Sequence, residues 1–158
     1  MSRSLAIFLA AGGSAALLAG AFAFQYLGGL APCHLCLLQR WPHAAAALIG
    51  VFALLITHRP LRRLLPLAGA AAAATTAALG LYHTGVERHW WEGPNTCTSG
   101  DISTLAVGDL TDQLLANTTV VQCDQVAWAM AGLSMASWNM LASLGLVALW
   151  IIASQKSR

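Results

Sequence analysis

Two cysteine pairs of different character set the chemistry open to this chain. Cys33-His34-Leu35-Cys36 places two thiols with two residues between them. That spacing holds both sulfurs within bonding reach and suits a redox dithiol, in which one thiol acquires a lowered pKa. Cys97 and Cys123 lie far downstream, in the polar, acidic stretch of an otherwise apolar molecule. A wide pair in such a loop suits a second disulfide that can reach a partner. Two thiol pairs beside long apolar runs point to electrons being passed on rather than to a fold being stapled.

Arg40 follows Cys36 by four residues. With a helix beginning near Leu38, the two share roughly one face and the Cys36 sulfur sits at the helix N-terminus. A nearby guanidinium and the positive end of a helix both favour thiolate over thiol. The bland reading of Arg40 is an interfacial anchor whose stem snorkels to the surface. Pro42 agrees with an early helix position, where backbone donors are unpaired anyway. His83 closes the third apolar run on the same side, where the ordinary role of a lone histidine is a polar end-cap. His34, inside the motif, is placed to tune the dithiol. His43, His58 and His89 carry no argument.

The elements that position these residues cross a membrane. Hydrophobic residues make up 58% and charged residues only 9% of 158 residues, against a globular norm of roughly a quarter charged. One integral membrane domain fits this length and composition better than several soluble ones. Four apolar segments, at about 5–30, 37–56, 64–82 and 135–153, each approach the ~20 residues a helix needs to span a hydrocarbon core. Helices are expected because the runs are continuous, rich in Ala and Leu, and lack period-two alternation. Arg3, the first run and Ala21-Phe22-Ala23 imitate a signal peptide, but the run is long for one and three further spans follow. The small residues of 68–78 predict that the third span is the most enclosed helix.

Charge placement predicts the orientation. Arg3, Arg59, Arg62, Arg63, Lys156 and Arg158 fall at the termini or in the link between the second and third spans, and only Arg40 and Arg88 fall on the other side. By the positive-inside rule the termini and that link are cytoplasmic. All six acidic residues, from Glu87 to Asp124, lie between the third and fourth spans, a stretch that then faces outward. Every cysteine is thereby placed at or beyond the outer surface, which in a bacterium is the disulfide-permissive periplasm.

The outer stretch, roughly 85–134, is too small for a free-standing domain. It opens on Trp90-Trp91-Glu92-Gly93-Pro94, an aromatic pair suited to the headgroup region followed by a turn. A short helix started by Thr111 is expected over 110–116. A second, capped by Asp124 and carrying Val126, Trp128, Met130, Leu133 and Met135, is expected either in the interface plane or packed on the bundle. Asn117-Thr118-Thr119 matches a glycosylation acceptor, a motif common by chance. The fold class expected is an all-α integral membrane bundle of four helices. It carries an outward loop with a redox cysteine pair and a short interfacial helix.

The order of spans, Cys33-x-x-Cys36 followed by Arg40, the Cys97/Cys123 loop, and the stretches Tyr82-His83-Thr84-Gly85-Val86-Glu87 and Gly132-Leu133-Ser134-Met135-Ala136-Ser137-Trp138-Asn139 together resemble the DsbB family. These are quinone-reducing disulfide bond formation proteins of bacterial inner membranes, and the resemblance runs over nearly the whole chain. It implies that Cys97 forms a mixed disulfide with a reduced, periplasmic DsbA-like thioredoxin-fold oxidase, with Cys123 as its loop partner. It further implies that Cys33 and Cys36 reoxidise that pair, Cys36 addressing the ring of a membrane quinone, ubiquinone or menaquinone. Arg40 would stabilise the thiolate and the reduced quinone, and Leu79, His83 and Met135 would line the quinone pocket. Pro42 departs from the family pattern, at a point that bears on the Cys36–Arg40 geometry.

Other readings fit less well. Vitamin K epoxide reductase-like proteins also combine four spans, a CxxC and loop cysteines, but there the loop pair precedes the CxxC. Four thiolates suit tetrahedral zinc, yet the outward, oxidising location and the single CxxC speak against a structural metal site. Four purely structural cysteines in a non-enzymatic membrane protein would not cycle with electron acceptors.

Overall fold

The computed structural model describes residues 1–56, 58–94 and 122–156. Within them the chain forms α1 (Arg3–Tyr26), α2 (His34–Leu55), α3 (Arg59–Glu87), a two-stranded hairpin of β1 (Ala129–Met130) and β2 (Leu133–Ser134), and α4 (Met135–Gln155). Four helices are long and apolar enough to cross a membrane, and the protein is a multi-pass membrane protein. Cys97, the 110–116 segment and the Asn117 motif lie outside the described residues.

Local chemistry sets the helix boundaries. Ser2 caps α1 by accepting the Leu5 N–H at 3.3 Å, and Ser134 caps α4 by accepting the Ser137 N–H at 3.2 Å, each satisfying a donor the helix leaves open. Proline near its first position opens α3, where the missing N–H costs nothing. That helix runs on to Glu87, five residues beyond the predicted end at Tyr82. The extension puts Glu87 one turn above His83.

Between Cys123 and α4 the expected capped helix is replaced by a tight hairpin. Ala129 pairs with Ser134 and Met130 with Leu133. Ala131 (φ 52°) and Gly132 (φ 77°) are both left-handed, the signature of a two-residue turn whose twist matches antiparallel strands. A helix cannot pass through two such residues, so the apolar positions predicted to line one helical face belong to a hairpin, and Asp124 starts no helix. Trp138 Nε1 donates to the Met130 carbonyl at 3.1 Å, which ties the hairpin to the first turn of α4.

Each helix packs on its sequence neighbours, and α1 closes the ring against α4, while α1 and α3 scarcely meet. The third span is the most enclosed of the four, as its small residues predict. Ala6, Ile7, Ala10, Ala53, Ala73 and Ala153 surround Trp150 and Leu146 in one cluster. Small side chains permit that close approach in lipid, where helices gain nothing from leaving a medium as apolar as themselves. Arg3 donates to the carbonyls of Ala53 (3.1 Å) and Arg62 (3.2 Å), fixing the N-terminus to the α2–α3 link. At the opposite end, exposed Tyr26, Trp41, Trp90 and Trp91 form the aromatic belt expected at a headgroup boundary.

Gly69 shows how tight the packing is: a Cβ there would stand 2.6 Å from the Trp150 ring, whereas one at Gly12 would meet nothing within 4 Å. Gly69→Ala should therefore lower the thermal midpoint of the purified protein, by an overpacking cost of about 1–3 kcal/mol. Gly12→Ala should leave it unchanged or raise it slightly. Equal midpoints for the two variants would show that α3 and α4 do not approach this closely.

Candidate functional site

The site begins where α2 begins. Cys33 is the N-cap, with extended backbone (ψ 172°), and its Sγ accepts the Cys36 N–H at 3.2 Å. The helix thus starts at His34, not near Leu38 as the sequence suggested. Cys36 lies inside its first turn and Arg40 a turn further in. Pro42 falls in the helix interior, where it removes the donor that the Leu38 carbonyl would otherwise receive. Membrane helices tolerate such a gap because neighbouring groups re-satisfy the backbone.

Cys33 and Cys36 are free thiols with sulfurs 2.9 Å apart, Cys33 donating to Cys36. Cys33 is buried and Cys36 half-buried. Hydrogen bonding to the Cys36 side chain, then burial, hold the Cys33 thiol above its ordinary pKa, so the shared proton resides on Cys33. The exposed His34 stands outside this arrangement.

From α3, His83 presents Nε2 at 3.6 Å from Cys33 Sγ and 3.9 Å from Glu87 Oε1, and its ring also donates toward the backbone of Cys123. The Ser134 hydroxyl donates to the Glu87 carboxylate. Behind His83 a chain of polar side chains crosses the bundle. Gln39 Nε2 lies 2.9 Å from His83 Nδ1, Asn139 Nδ2 lies 2.6 Å from Gln39 Oε1, and Asn139 Oδ1 lies 2.8 Å from His43 Nε2.

Arg40 is tied to α1. It donates to Gln25 Oε1 at 2.6 Å and to the Ala21 carbonyl at 3.3 Å, and its guanidinium stands 4.8 Å from the centre of the Phe22 ring. Among the described residues its Nε is buried without a partner.

These groups share one cavity of about 340 Å³ between α1, α2, α3, the hairpin and α4. Cys33, Cys36, Gln39, Arg40, His43, His83, Glu87, Gln122, Gln125 and Asn139 are among its polar and thiol lining, and Leu17, Phe24, Trp128, Met130 and Met135 among its apolar lining. Such a volume lies in the range of small-molecule sites. Cys36, Arg40, His83 and Met135, singled out in the sequence, are brought together here. Leu79 is half-buried on α3 and is not among the residues lining the cavity. Cys123 is fully buried beside Cys33, Leu35 and Val86, and it is disulfide-bonded.

Sequence reasoning missed Gln25, Gln39, Glu87 and Asn139 as site residues. A signal for them exists. Polar side chains within spans are costly and concentrate at working sites, and Gln25, Gln39 and Asn139 stand among apolar neighbours in the sequence. Which of them meet becomes visible only in three dimensions.

Comparison with known proteins agrees with this geometry. The family model for "Disulfide bond formation protein DsbB" matches residues 2–153. The chain is 35% identical over 138 residues to Disulfide bond formation protein B of Methylococcus capsulatus, covering 84% of this chain and 82% of that one. It is 31% identical over 158 residues to the protein of the same name from Azoarcus, covering 91% and 89%. No solved structure matches. A dithiol at a helix start, the disulfide-bonded Cys123 buried beside it and a match running almost end to end place this chain in the DsbB family of disulfide-forming membrane oxidoreductases.

Proposed function

We propose that the protein reoxidises a periplasmic DsbA-like thiol oxidase and passes the electrons to a membrane quinone, ubiquinone or menaquinone, from an inner membrane with both termini cytoplasmic. The observation that carries this reading is the shared cavity, in which thiol, guanidinium and imidazole groups are set into a largely apolar lining. That is the complement of a ligand with a hydrogen-bond-accepting head and a hydrocarbon body. The Arg40 Nε, without a partner among the described residues, is a buried donor in want of an acceptor, which a quinone oxygen would supply.

The thiol chemistry then runs in balanced exchanges. A partner thiolate attacks Cys97 of a Cys97–Cys123 disulfide, and Cys123 leaves as thiolate. The Cys123 thiolate attacks the Cys33–Cys36 disulfide at Cys33, which packs beside it, and Cys36 leaves as thiolate into the cavity. The partner's second thiol releases Cys97, which attacks the Cys33–Cys123 bond at Cys123. This restores the loop disulfide and leaves Cys33 reduced. Each step is a thiolate attack whose rate follows thiolate fraction and access. A bound quinone supplies the acceptor for the two electrons and two protons of the Cys33–Cys36 pair. Arg40 positions the ring and favours negative charge in the cavity, and His83 holds a proton next to Cys33. The direct test is anaerobic mixing of the protein with reduced partner and a defined quinone, read by quinone absorbance. Unchanged absorbance with partner still reduced rules the reading out.

Reporter fusions and cysteine labelling should place Arg62 in the cytoplasm and Asp109 outside, given the six basic residues on one side against two on the other. A cytoplasmic Asp109 would expose the thiols to a reducing pool and end the redox account.

Cys123→Ala should leave Cys97 trapped with a partner thiol as a stable mixed disulfide, since nothing in the loop then resolves it, while Cys97→Ala should give no adduct. Trapping through Cys123 in the Cys97 variant would reverse the roles.

Arg40→Ala should raise the apparent Michaelis constant for quinone and lower turnover by about tenfold or more, since a charge-assisted hydrogen bond is worth about 1.5–3 kcal/mol. Partner exchange at the loop disulfide should persist. His83→Ala should act more mildly, removing a neutral hydrogen bond of about 1 kcal/mol. Arg40→Lys should rescue in part, keeping charge without the planar fork. Normal quinone kinetics in Arg40→Ala would reduce Arg40 to an interface anchor.

A further inference from the structure

The dithiol has a third donor atom beside it. Cys33 Sγ, Cys36 Sγ and His83 Nε2 lie within 4.8 Å of one another, and two thiolates with an imidazole are a donor set for zinc and other soft ions. A thiol pair held by such an ion is not available for exchange. An imidazole ligates only through a bare lone pair, so the position of the His83 proton decides whether the third ligand exists.

The orientation of the Gln39 amide sets where that proton sits. The Gln39 Nε2 at 2.9 Å from His83 Nδ1 is an amide nitrogen, which donates and does not accept. Nδ1 is therefore the acceptor, and a neutral ring keeps its proton on Nε2. There, among the described residues, it faces the Glu87 carboxylate, the Cys123 backbone and the lone pairs of a Cys33 sulfur whose own proton is turned to Cys36.

The Gln39 amide is itself held in one orientation. Its Oε1 accepts from Asn139 Nδ2 at 2.6 Å. Asn139 Nδ2 also donates to Thr76 Oγ1 at 3.2 Å, and the Thr76 hydroxyl donates onward to the Gln39 carbonyl at 3.3 Å. Asn139 Oδ1 accepts from His43 Nε2 at 2.8 Å. That leaves His43 Nδ1 as the bare ring nitrogen, without a partner among the described residues, and an empty acceptor is a lesser cost than an orphaned buried N–H. Turning over either amide alone would set donor against donor and acceptor against acceptor.

We propose that Gln39, oriented by Asn139, is a positioning residue that holds His83 as the Nε2–H tautomer, so that the reduced Cys33–Cys36 pair meets a hydrogen-bond donor and not a third ligand for a soft metal ion. The purpose rests on the redox reading of the dithiol. The tautomer does not, and its test reads no quinone turnover.

The experiment uses full-length, nitrogen-15-histidine-labelled protein in lipid nanodiscs, with Cys97→Ser and Cys123→Ser to leave only the Cys33–Cys36 thiols, kept reduced. Histidine nitrogen shifts report the His83 tautomer, and Cd²⁺ titration is followed by sulfur-to-metal absorbance, each bound ion releasing two thiol protons. This parent protein should show His83 with Nε2–H and should bind Cd²⁺ through sulfur alone. Gln39→Glu supplies a carboxylate that accepts from Nδ1–H, moving the lone pair to Nε2. It should raise Cd²⁺ affinity by about tenfold or more, the scale of a metal ligand's hydrogen-bond partner. Asn139→Asp should do the same from α4, because its carboxylate takes the Gln39 N–H and turns Oε1 toward His83. Adding His83→Ala should remove both gains. A parent protein carrying Nδ1–H on His83 overturns the proposal, even if no variant folds. So do Gln39→Glu and Asn139→Asp proteins with parental tautomer and Cd²⁺ affinity.

Discussion

The hydrogen bond between Gln39 and His83 is the constraint on which the arrangement of the site turns. It joins α2 to α3 at the level of the thiols, at 2.9 Å and among buried atoms. In lipid-like surroundings an unpaired polar side chain costs several kcal/mol and no water stands by to relieve it. Once Gln39 and Asn139 occupy the bundle interior, they must find each other, and the helices that carry them must adopt the register in which they do. His83 is placed beside Cys33 as a consequence of that register. The dithiol and its fixed polar neighbour then line the same cavity.

The two ends of the bundle divide the labour. At the end where Arg3 meets the α2–α3 link, alanines and Gly69 close tightly around Trp150, and close van der Waals packing supplies the association that lipid cannot. At the cysteine end the helices stand apart far enough to leave a cavity of about 340 Å³. Arg40 keeps α1 in place there through Gln25, Ala21 and Phe22. The cavity therefore lies against a rigid base, and its polar groups are positioned by helices rather than by loops.

Much of the fold was legible in the sequence, because long apolar runs are strong signals that packing does not alter. The thiol pairs and Arg40 stood out by type and spacing, whereas His83 and Met135 were singled out through the resemblance to a family. What failed were local conformations decided by single residues. Ala131-Gly132 makes a hairpin where apolar spacing suggested a helix. Cys33 proved able to cap α2 with its own sulfur, which moved the helix start ahead of the predicted Leu38. Periodicity cannot register a cap of that kind, since cysteine is not among the usual capping residues. Gln39 and Asn139 are one hundred positions apart, and no local pattern in one chain announces that they touch.

The capping role of Cys33 joins the fold to the chemistry in one atom. Its sulfur accepts the Cys36 N–H, meets Cys36 Sγ at 2.9 Å and lies 3.6 Å from His83 Nε2. Movement of the α2 start therefore displaces the sulfur that Cys123 packs beside, and displacement of that sulfur loosens the first turn. Arg40 resists such movement from one side and the Gln39–His83 bond from the other, both one turn further along α2. Pro42 follows two residues after Arg40, close to where these two side chains supply the rigidity that an interrupted backbone ladder gives up. The departure that stood out in the sequence is thus accommodated by the same side chains that build the site.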